Sequence, residues 1–439
     1  MGRTTRAGTD RVSGRAGAVL LAAALLAACA PERPAPGRVV VLGLDGATWT
    51  IVRPLVAAGE LPHLAALMAR GVTATPVAEP PLIAPVVWTT VFTGVAPSRH
   101  GVAGWATAGA GYRRVPALWT RADAAGKGVV AVNVPGTWKA ERLRHGTIVA
   151  DAGMTRAYLG GAGTGAIGRL DAATPLPRPY EPLAGFLREI AYELAPDAWS
   201  GWRTTPVTVL APGVLRVKRL DAARFFVSPI YPRALGRHAV HPAPVAAELE
   251  EALGVPYVRE GPNPSSWKGG EAPAAFAEHL AQVAALQLEA TRHLARTREA
   301  ALVVWVDPLP DRIQHAYWAE HDTDQHAALA SGRVARHGAR VREAYRAADA
   351  HLGALLAVAS PTWAVVVSAH GFGPAPGRAG GDHAPEGVLV VAGPALAGEH
   401  AVIGLPDVAA TLACLLGVPR DGMTGTPLAA VARALDGCR

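Results

Sequence analysis

Uninterrupted apolar runs of strand length alternate along the chain with longer segments in which apolar residues recur every three or four positions. The runs cover residues 38–44, 128–134, 301–306, 363–368 and 387–392. Helical periodicity is found between them, for example over residues 61–70, 275–297 and 334–357. Continuous apolar strands are typical of a sheet that is buried on both faces. The pattern therefore predicts an α/β fold of three layers, with helices on both sides of a central sheet.

Residues 155–266 break this rhythm, because prolines and glycines are frequent there and periodic segments are few. We expect this region to be a cap inserted over the sheet, where substrate selectivity would be built. Half of the 439 residues are hydrophobic, which is enough for one large α/β core. The predicted organisation is a leader (1–29), a linker (30–37), the first part of the core (38–154), the cap (155–266) and the second part of the core (267–439).

The leader has the features of a targeting segment. A basic stretch precedes an apolar run over residues 16–28, which is too short to span a bilayer as a permanent helix. The run ends in Leu26-Ala27-Ala28-Cys29, which resembles the lipobox of bacterial lipoproteins. The resemblance implies cleavage before Cys29 and lipidation of its thiol. The expected location is then the bacterial cell envelope, lipid-anchored and extracytoplasmic; the alternative is an ordinary secretory signal with a chance cysteine.

Charge and cysteine content exclude some classes of protein. The formal net charge is +7, of which four arginines and one aspartate in the leader supply +3 and leave +4 for the rest. Since no Lys/Arg run is interleaved with aromatic residues, we expect no binding to a nucleic-acid polymer. Besides Cys29, only Cys414 and Cys438 are present. Cys414 lies in an apolar run and is predicted to be a buried free thiol, without a disulfide framework.

Carboxylates and imidazoles flank the predicted strands where ligands of open α/β sheets gather. The residues concerned are Asp45, Asp307, Asp311, His315, His370 and His383. Asp311 and His315 are four positions apart, so on a helix they share one face and can chelate one cation. A ligand set of nitrogen and oxygen without thiolate suits Zn²⁺, with Mn²⁺ as the second choice.

The same stretches carry a family resemblance, together with the motif that runs from Pro81 to Gly94. The chain resembles the alkaline phosphatase superfamily, specifically the type I phosphodiesterase/nucleotide pyrophosphatase branch and its bacterial phosphohydrolase/phosphomutase relatives. The resemblance covers roughly residues 39–427 and is weakest in the cap. It implies an alkaline-phosphatase-like sheet and the hydrolysis of phosphoric esters with two metal ions, typically zinc.

The resemblance also assigns the ligands of each ion. One ion would be held by Asp311, His315 and His383, and all three are present. The second ion would take Asp45 and His370, a further carboxylate at position 369, and a Ser or Thr nucleophile at position 84. Those two positions hold Ala369 and Ala84 instead. One site is therefore expected to be whole and the other half dismantled.

The alanines remove the family's covalent chemistry, in which a Ser or Thr oxygen forms a phospho-enzyme. A methyl group at position 84 cannot be ionised or phosphorylated, and the loss of a nucleophile typically costs about 10⁶ in rate. Several other groups could replace the missing nucleophile or carboxylate. A hydroxyl from Thr89, Thr90 or Thr93 could attack, Asp307 or Asp382 could supply a carboxylate, and water could attack directly at a single metal, since a divalent ion lowers the pKa of bound water.

Two hypotheses follow from these residues. The first, which the two alanines favour, is a pseudoenzyme: a lipoprotein that binds a phosphate-bearing ligand or a partner protein. The second is an active phosphodiesterase or phosphatase that works through Asp311, His315 and His383. The sequence leaves the ligand and the oligomeric state open, because relatives with similar cores act on nucleotides, phospholipid head groups, glycerophosphate polymers and phosphonates. His63 and His100 are predicted to be structural.

Overall fold

The computed structural model describes residues 1–2, 37–151, 165–171, 173–206, 213–259, 273–322, 331–375, 380–398, 400–436 and 438. The chain divides into two compact units, Met1–Ala35 and Pro36–Arg439. Cys29, with the rest of the predicted leader apart from its first two residues, and the predicted linker apart from residue 37 lie outside the described residues. The features below belong to the second unit.

A nine-stranded sheet forms the centre of this unit. In chain order the strands of the described residues are β1 (Val39–Leu44), β2 (Gly71–Val77), β3 (Val129–Val132), β4 (Gly146–Val149), β5 (Ala166–Arg169), β6 (Arg203–Thr204), β7 (Gly213–Leu215), β8 (Val217–Arg219), β9 (Arg224–Val227), β10 (Tyr231–Pro232), β11 (Val240–His241), β12 (Leu302–Asp307), β13 (Trp363–Val367), β14 (Gly371–Pro374), β15 (Gly381–Ala384), β16 (Leu389–Ala392) and β17 (Ala401–Gly404). The central sheet has the order β11-β4-β3-β12-β1-β13-β16-β2-β17. All five predicted apolar runs are strands of this sheet.

The helices of the described residues cover both faces of the sheet. They are α1 (Trp49–Ala57), α2 (Pro62–Ala69), α3 (Ala84–Thr93), α4 (Pro97–His100), α5 (Leu118–Ala124), α6 (Ala184–Glu193), α7 (Val245–Leu253), α8 (Ala274–Thr297), α9 (Leu309–His321), α10 (Ser331–His337), α11 (Arg340–Ala359), α12 (Pro406–Leu416) and α13 (Ala429–Ala434). Within these residues no single helix has the length and apolar composition of a membrane span, although the bent pair α1 and α2 reaches both when taken together.

Alternate residues of β1 explain why helices are needed on both sides. Val40 and Leu42 face a core shared with α1, α2, α8, α9 and α11. Val39 and Val41 face a second core shared with α3, α5, α12 and α13. A strand that is apolar on both faces can be buried only between two helical layers. The predicted three-layer α/β fold is confirmed.

Strand direction brings the polar loops together at one edge. β1 is parallel to both of its neighbours, β12 and β13, with Val41 opposite Val304 and Val365. β16 is antiparallel to β13, so it begins at the edge where β13 ends. The residues that follow β1, β12 and β13 and those that precede β16 therefore meet at the same edge of the sheet.

The predicted helix over residues 334–357 is two helices, α10 and α11. The break comes at Gly338, whose backbone N–H donates to the carbonyl of Val334 at 2.8 Å. A Cβ at position 338 would lie 2.8 Å from that oxygen and 3.2 Å from the carbonyl oxygen of Glu320. The periodic pattern of apolar residues over 334–357 did not reveal this interruption.

The prediction of a free thiol at Cys414 is wrong, because a disulfide joins it to Cys438 with Cα atoms 5.0 Å apart. The tail after α13 returns to α12, where the Arg420 guanidinium donates to the Cys438 carbonyl at 2.8 Å. Both cysteines are buried in the core beneath α12. The pairing depends on this return of the tail, which the apolar run around Cys414 does not reveal.

The described residues between β4 and α8 form two small antiparallel sheets, β5-β9-β8 and β10-β7-β6. Leu187 and Ile190 of α6 pack with Phe225 and Val227 of β9 in a separate core. The same region returns to the main fold at its end. β11 extends the central sheet beside β4, where Val240 pairs with Val149.

Candidate metal centre

Five side chains meet at the edge where β1, β12 and β13 end. Asp45 directly follows β1, and the first two turns of α9 carry Asp311 and His315 on one face. His370 follows β13, and His383 lies in β15, which pairs with β14 as a hairpin. The structure thus brings together all five residues that the sequence predicted as metal ligands.

His383 is at the centre of the group. Its Nε2 lies 2.9 Å from the Nε2 of His315 and 3.1 Å from the Oδ1 of Asp311. The Nε2 of His315 lies 3.5 Å from the same oxygen. The family resemblance assigned these three residues to one ion, and their ligand atoms lie within 3.5 Å of one another.

His370 also lies beside this group. Ligand atoms of Asp311, His370 and His383 all fall within 4.8 Å of one another. The rings of His370 and His383 are stacked, with their centroids 4.0 Å apart. The Nε2 of His370 is also 3.3 Å from the Oδ1 of Asp45. His370 therefore connects the two predicted sites.

Backbone carbonyls fix the tautomers of two of the imidazoles. The Nδ1 of His370 donates to the carbonyl of Gly371 at 2.9 Å, and the Nδ1 of His383 donates to the carbonyl of Leu82. A carbonyl only accepts, so each ring carries a proton on Nδ1 and turns Nε2 inward. This is the arrangement that metal-ligating histidines adopt.

One buried nitrogen without a hydrogen-bond partner indicates that these residues fit a cation. The Nε2 of His370 is buried and makes no hydrogen bond, and a buried polar group without a partner costs about 1–3 kcal/mol. A divalent cation would satisfy this nitrogen together with the neighbouring Nε2 atoms. Imidazole and carboxylate donors of this kind suit zinc. The residues present therefore fit a metal ion.

The electrostatics of the group agree with that fit. Burial acts to raise the pKa of the Asp311 carboxyl, but the charge of His315 and the hydrogen bond from His383 outweigh it and hold that pKa below its usual range. Burial acts to lower the pKa of His383, but Asp311 outweighs it and raises that pKa to about 9. Asp311 is thus an ionised carboxylate surrounded by imidazoles, and it attracts a positive charge to the group.

Methyl groups occupy the two positions where the resemblance places a nucleophile and a carboxylate. Ala84 is the first residue of α3, two positions after Leu82, whose carbonyl accepts from His383. Ala369 is fully buried, in a turn where the Ser368 hydroxyl donates to the carbonyl of His370 at 2.6 Å. Neither alanine side chain can bind a metal or attack a phosphorus atom.

The three hydroxyls considered as substitutes are engaged elsewhere. Thr89 donates to the carbonyl of Pro85 at 2.6 Å, and Thr93 donates to the carbonyl of Thr89 at 2.7 Å. The hydroxyl of Thr90 bonds the Nε2 of His100 at 3.0 Å. All three are buried within α3, so a displaced nucleophile has no support in the geometry.

The two substitute carboxylates also have other partners. Asp307 is buried, where it accepts the N–H of Leu309 at 2.9 Å and pairs with the Nδ1 of His351 at 2.8 Å. Asp382 accepts the backbone N–H of His383 at 2.9 Å. Among the described residues, neither belongs to the group of converging ligand atoms.

His63 and His100 have structural partners. The Nδ1 of His100 accepts the N–H of Val102 at 3.1 Å, and burial lowers the pKa of this histidine to about 4. Its ring is therefore neutral and donates to Thr90. The ring of His63 lies against Gly353 of α11, where a Cβ would come within 2.4 Å of it.

Sequence reasoning missed the residues that hold the turn after β1. The Trp88 indole donates to Asp45 at 2.8 Å, and Gln314 donates to the carbonyl of Gly46 at 2.8 Å. The Tyr345 hydroxyl donates to Gln314 at 3.1 Å. Gly46 has a φ of 70°, and a Cβ there would lie 3.0 Å from the Cα of Asp311. Only the position of Trp88 in the motif around Ala84 offered a signal.

Comparison with known proteins identifies the family of this chain. The model of the type I phosphodiesterase / nucleotide pyrophosphatase family matches residues 39–386. No protein of curated function matches the chain. Solved structures that are similar include phosphonoacetate hydrolase from Sinorhizobium meliloti 1021 in complex with phosphonoacetate, at 15% identity over 78% of this chain with a TM-score of 0.38. This chain spans 59% of the length of that hydrolase.

Two further structures are similar over more of their own length. Phosphonate monoester hydrolase from Silicibacter pomeroyi is 14% identical, with 89% of this chain and 76% of that chain covered and a TM-score of 0.40. A putative sulfatase from Bacteroides thetaiotaomicron VPI-5482 is 15% identical, with 92% of this chain and 75% of that chain covered and a TM-score of 0.41.

Proposed function

The chain belongs to the type I phosphodiesterase/nucleotide pyrophosphatase family, and from that membership we propose that it binds a phosphate-bearing ligand without turning it over. In this proposal the protein keeps the ligand-binding edge of the family's fold and has lost its covalent chemistry. It is a phosphohydrolase-like pseudoenzyme.

The observation that carries the proposal is the methyl group of Ala84 at the first position of α3. The carbonyl of Leu82 ties this end of the helix to His383, so position 84 lies beside the imidazole group. A hydroxyl there would be placed to attack a phosphate held by the group, and a methyl cannot. The hydroxyls of α3 bond within the helix or to His100, so they do not replace it.

The residues that would hold the ligand are those that converge at the sheet edge. Asp311, His315, His370 and His383 would hold a divalent ion, which when bound supplies a Lewis-acid contact for a phosphate oxygen. The start of α3 adds the positive end of a helix dipole, which favours an anion on the same side. Asp45 accepts the indole N–H of Trp88, and its Oδ1 lies 3.3 Å from the Nε2 of His370.

A second candidate function is favoured by one observation. Asp311, His315 and His383 retain short mutual distances although position 84 has lost its hydroxyl. If this intact part of the group supports direct attack by water on a phosphoric ester, the protein is an active hydrolase. The two candidates differ in whether the natural protein turns substrate over.

The proposal is tested by measuring phosphate binding and substrate turnover separately. The full chain, loaded with Zn²⁺ or Mn²⁺, is expected to bind inorganic phosphate in calorimetry and to release no product from an aryl phosphodiester or monoester. His383→Ala should abolish the heat of phosphate binding. His145→Ala removes an exposed imidazole just before β4, at the opposite edge of the sheet, and should leave that heat unchanged. Turnover by the natural protein that disappears in His315→Ala would establish the second candidate instead.

We also propose that the protein is tethered outside the cytoplasm through a lipid on Cys29. The lipobox-like sequence before Cys29 supports this location. So does the Cys414–Cys438 disulfide, because such bonds form and persist in oxidising compartments. Cys29→Ala is expected to move the protein from the membrane fraction to the soluble fraction of lysed cells. Unchanged fractionation of this variant would contradict the anchor.

A further inference from the structure

We infer that one edge of the central sheet lies against the surface of an anionic bilayer, while the edge with the imidazole group faces away from it. The first of these, the anchor edge, is formed by the residues that precede β1, β2, β3, β4, β12 and β13. The inference rests on the proposed lipid anchor at Cys29 and goes beyond it by stating which surface of the folded unit contacts the membrane.

The chain enters the folded unit at the anchor edge and is fixed there from residue 37 onward. The Arg38 guanidinium donates to the carbonyl of Ala300 at 2.8 Å, and the Arg38 carbonyl accepts the N–H of Thr362 at 3.0 Å. A Cβ on Gly37 would lie 2.2 Å from the Oγ1 of Thr362, so the backbone is packed closely there. The segment from Cys29 to Gly37 is therefore the whole tether.

This tether is too short to let the opposite edge of the sheet touch the membrane. It has a length of eight residues, which span at most about 29 Å when fully extended. Its three prolines shorten this reach, because a polyproline segment rises about 3.1 Å per residue. β1 is the fifth of nine strands. A path to its other end must cross a helical layer, about 15 Å from the plane of the sheet, and then follow β1 for about 20 Å.

The tether also reaches the helical flanks, and charge favours the anchor edge as the contact. Four basic side chains without an ion-pair partner among the described residues lie at this edge: Arg70 before β2, Lys127 before β3, Arg144 before β4 and Arg296 in the last turn of α8. All are exposed except Lys127, which is half-buried. An anionic bilayer attracts Lys and Arg within about a Debye length of its surface, roughly 10 Å at 0.1 M salt.

Three carboxylates at the same edge reduce this attraction without cancelling it. Glu248 pairs with Arg298, Asp123 accepts a backbone N–H at 2.6 Å, and Glu299 is exposed. Six Lys and Arg side chains lie at the edge when Arg38 and Arg298 are included, so its net charge is +3. The surface that the tether holds nearest to the membrane is thus also one that anionic head groups attract.

This orientation has a consequence for the ligand. β1 carries the tether at its start and Asp45 directly after its end, so the imidazole group lies on the side of the sheet edge that faces away from the bilayer. A ligand of that group would arrive from the aqueous compartment. The orientation therefore favours a water-soluble phosphate ester over a head group of the membrane that holds the protein.

Fluorescence quenching on vesicles tests the orientation. The lipidated protein carries a fluorophore on a cysteine introduced by Ala125→Cys at the anchor edge or by Glu386→Cys at the opposite edge. Both positions are exposed, and neither belongs to the group of converging ligand atoms. The vesicles contain phosphatidylethanolamine, phosphatidylglycerol and a lipid with a quencher on its head group. The label at position 125 should be quenched, and the label at position 386 should keep its full emission.

Two lysines on either side of β3 provide a matched test of charge. Lys127→Glu should lower the quenching at position 125 to the level seen on neutral phosphatidylcholine vesicles. Lys139→Glu reverses an exposed lysine that comes after β3, toward the opposite edge, and should leave the quenching unchanged. Circular dichroism verifies folding of each variant.

Each other outcome contradicts a separate part of this picture. Equal quenching at positions 125 and 386 would overturn the orientation. Labels unquenched at both positions, in protein that still floats with the vesicles, would overturn the contact and leave the anchor at Cys29 in place. Protein that does not float with the vesicles would contradict the anchor itself and the orientation with it. Unchanged quenching in folded Lys127→Glu would exclude charge as the cause of the contact.

Discussion

The double reversion Ala84→Ser, Ala369→Asp is expected to create phosphodiester hydrolysis at least about 10³-fold above any rate of the natural protein. The physical reason is that a nucleophile accounts for about 10⁶ in rate within such a catalytic unit, and the surrounding residues are still in place. The introduced serine would stand at the first position of α3, beside the imidazole group. The introduced aspartate would restore both a ligand and a negative charge next to His370.

The measurement is hydrolysis of a generic aryl phosphodiester and monoester, with Zn²⁺ and with Mn²⁺. Ala84→Ser alone should give little activity, because its hydroxyl lacks the second ion. Ala369→Asn, combined with Ala84→Ser, controls for size without charge and should remain close to the single variant. Position 369 is fully buried, so thermal unfolding in the presence of metal must show that the Asp variant is folded. A folded, metal-loaded double variant without activity would show that more than these two side chains has been lost.

The second large effect is on stability. Replacement of both Cys414 and Cys438 by Ser should lower the free energy of unfolding by about 3 kcal/mol. The bond closes a loop with a sequence separation of 24, and a cross-link of that size restricts the unfolded chain considerably. Without it, the tail after α13 would be held mainly by the contacts of Val431 and Leu428 in the core beneath α12.

Urea denaturation with and without dithiothreitol measures this effect. The natural protein should become as unstable as the double Ser variant when it is reduced, and the variant should not respond to the reductant. A natural protein whose midpoint is the same under both conditions would show that the bond contributes nothing to stability. Mass spectrometry after alkylation verifies that the bond is present in the oxidised sample.

The sequence predicted the layers of the fold because the relevant signal is local. A strand such as β1, apolar on both faces, requires helices on both sides whatever its neighbours are. The placement of Asp45 and Asp311 followed from the same reasoning, since each comes after such a strand. The loss of a nucleophile at position 84 and of a carboxylate at position 369 could also be identified from the sequence, once the motifs around these positions were recognised.

The features that were missed depend on contacts between distant segments. Nothing near Cys414 indicates that the tail brings Cys438 to it. The bond from Trp88 to Asp45 depends on how α3 crosses the sheet, and the approach of His370 to His383 depends on how the β14–β15 hairpin folds over the edge. Periodicity describes which face of an element is buried, and these contacts depend instead on how elements are positioned against one another.

The carbonyls of Leu82 and Gly371 bear on whether the imidazoles are oriented before or after a metal ion binds. They set the orientation of two imidazoles by folding alone, so these two rings need no metal ion to orient them. Capture of a cation would then require the cation to shed water and His383, whose pKa is raised to about 9, to release its Nε2 proton, while these two rings would need little reorientation. Such a protein can mature in two independent stages, first as a chain and later as a complex with an ion taken from its surroundings.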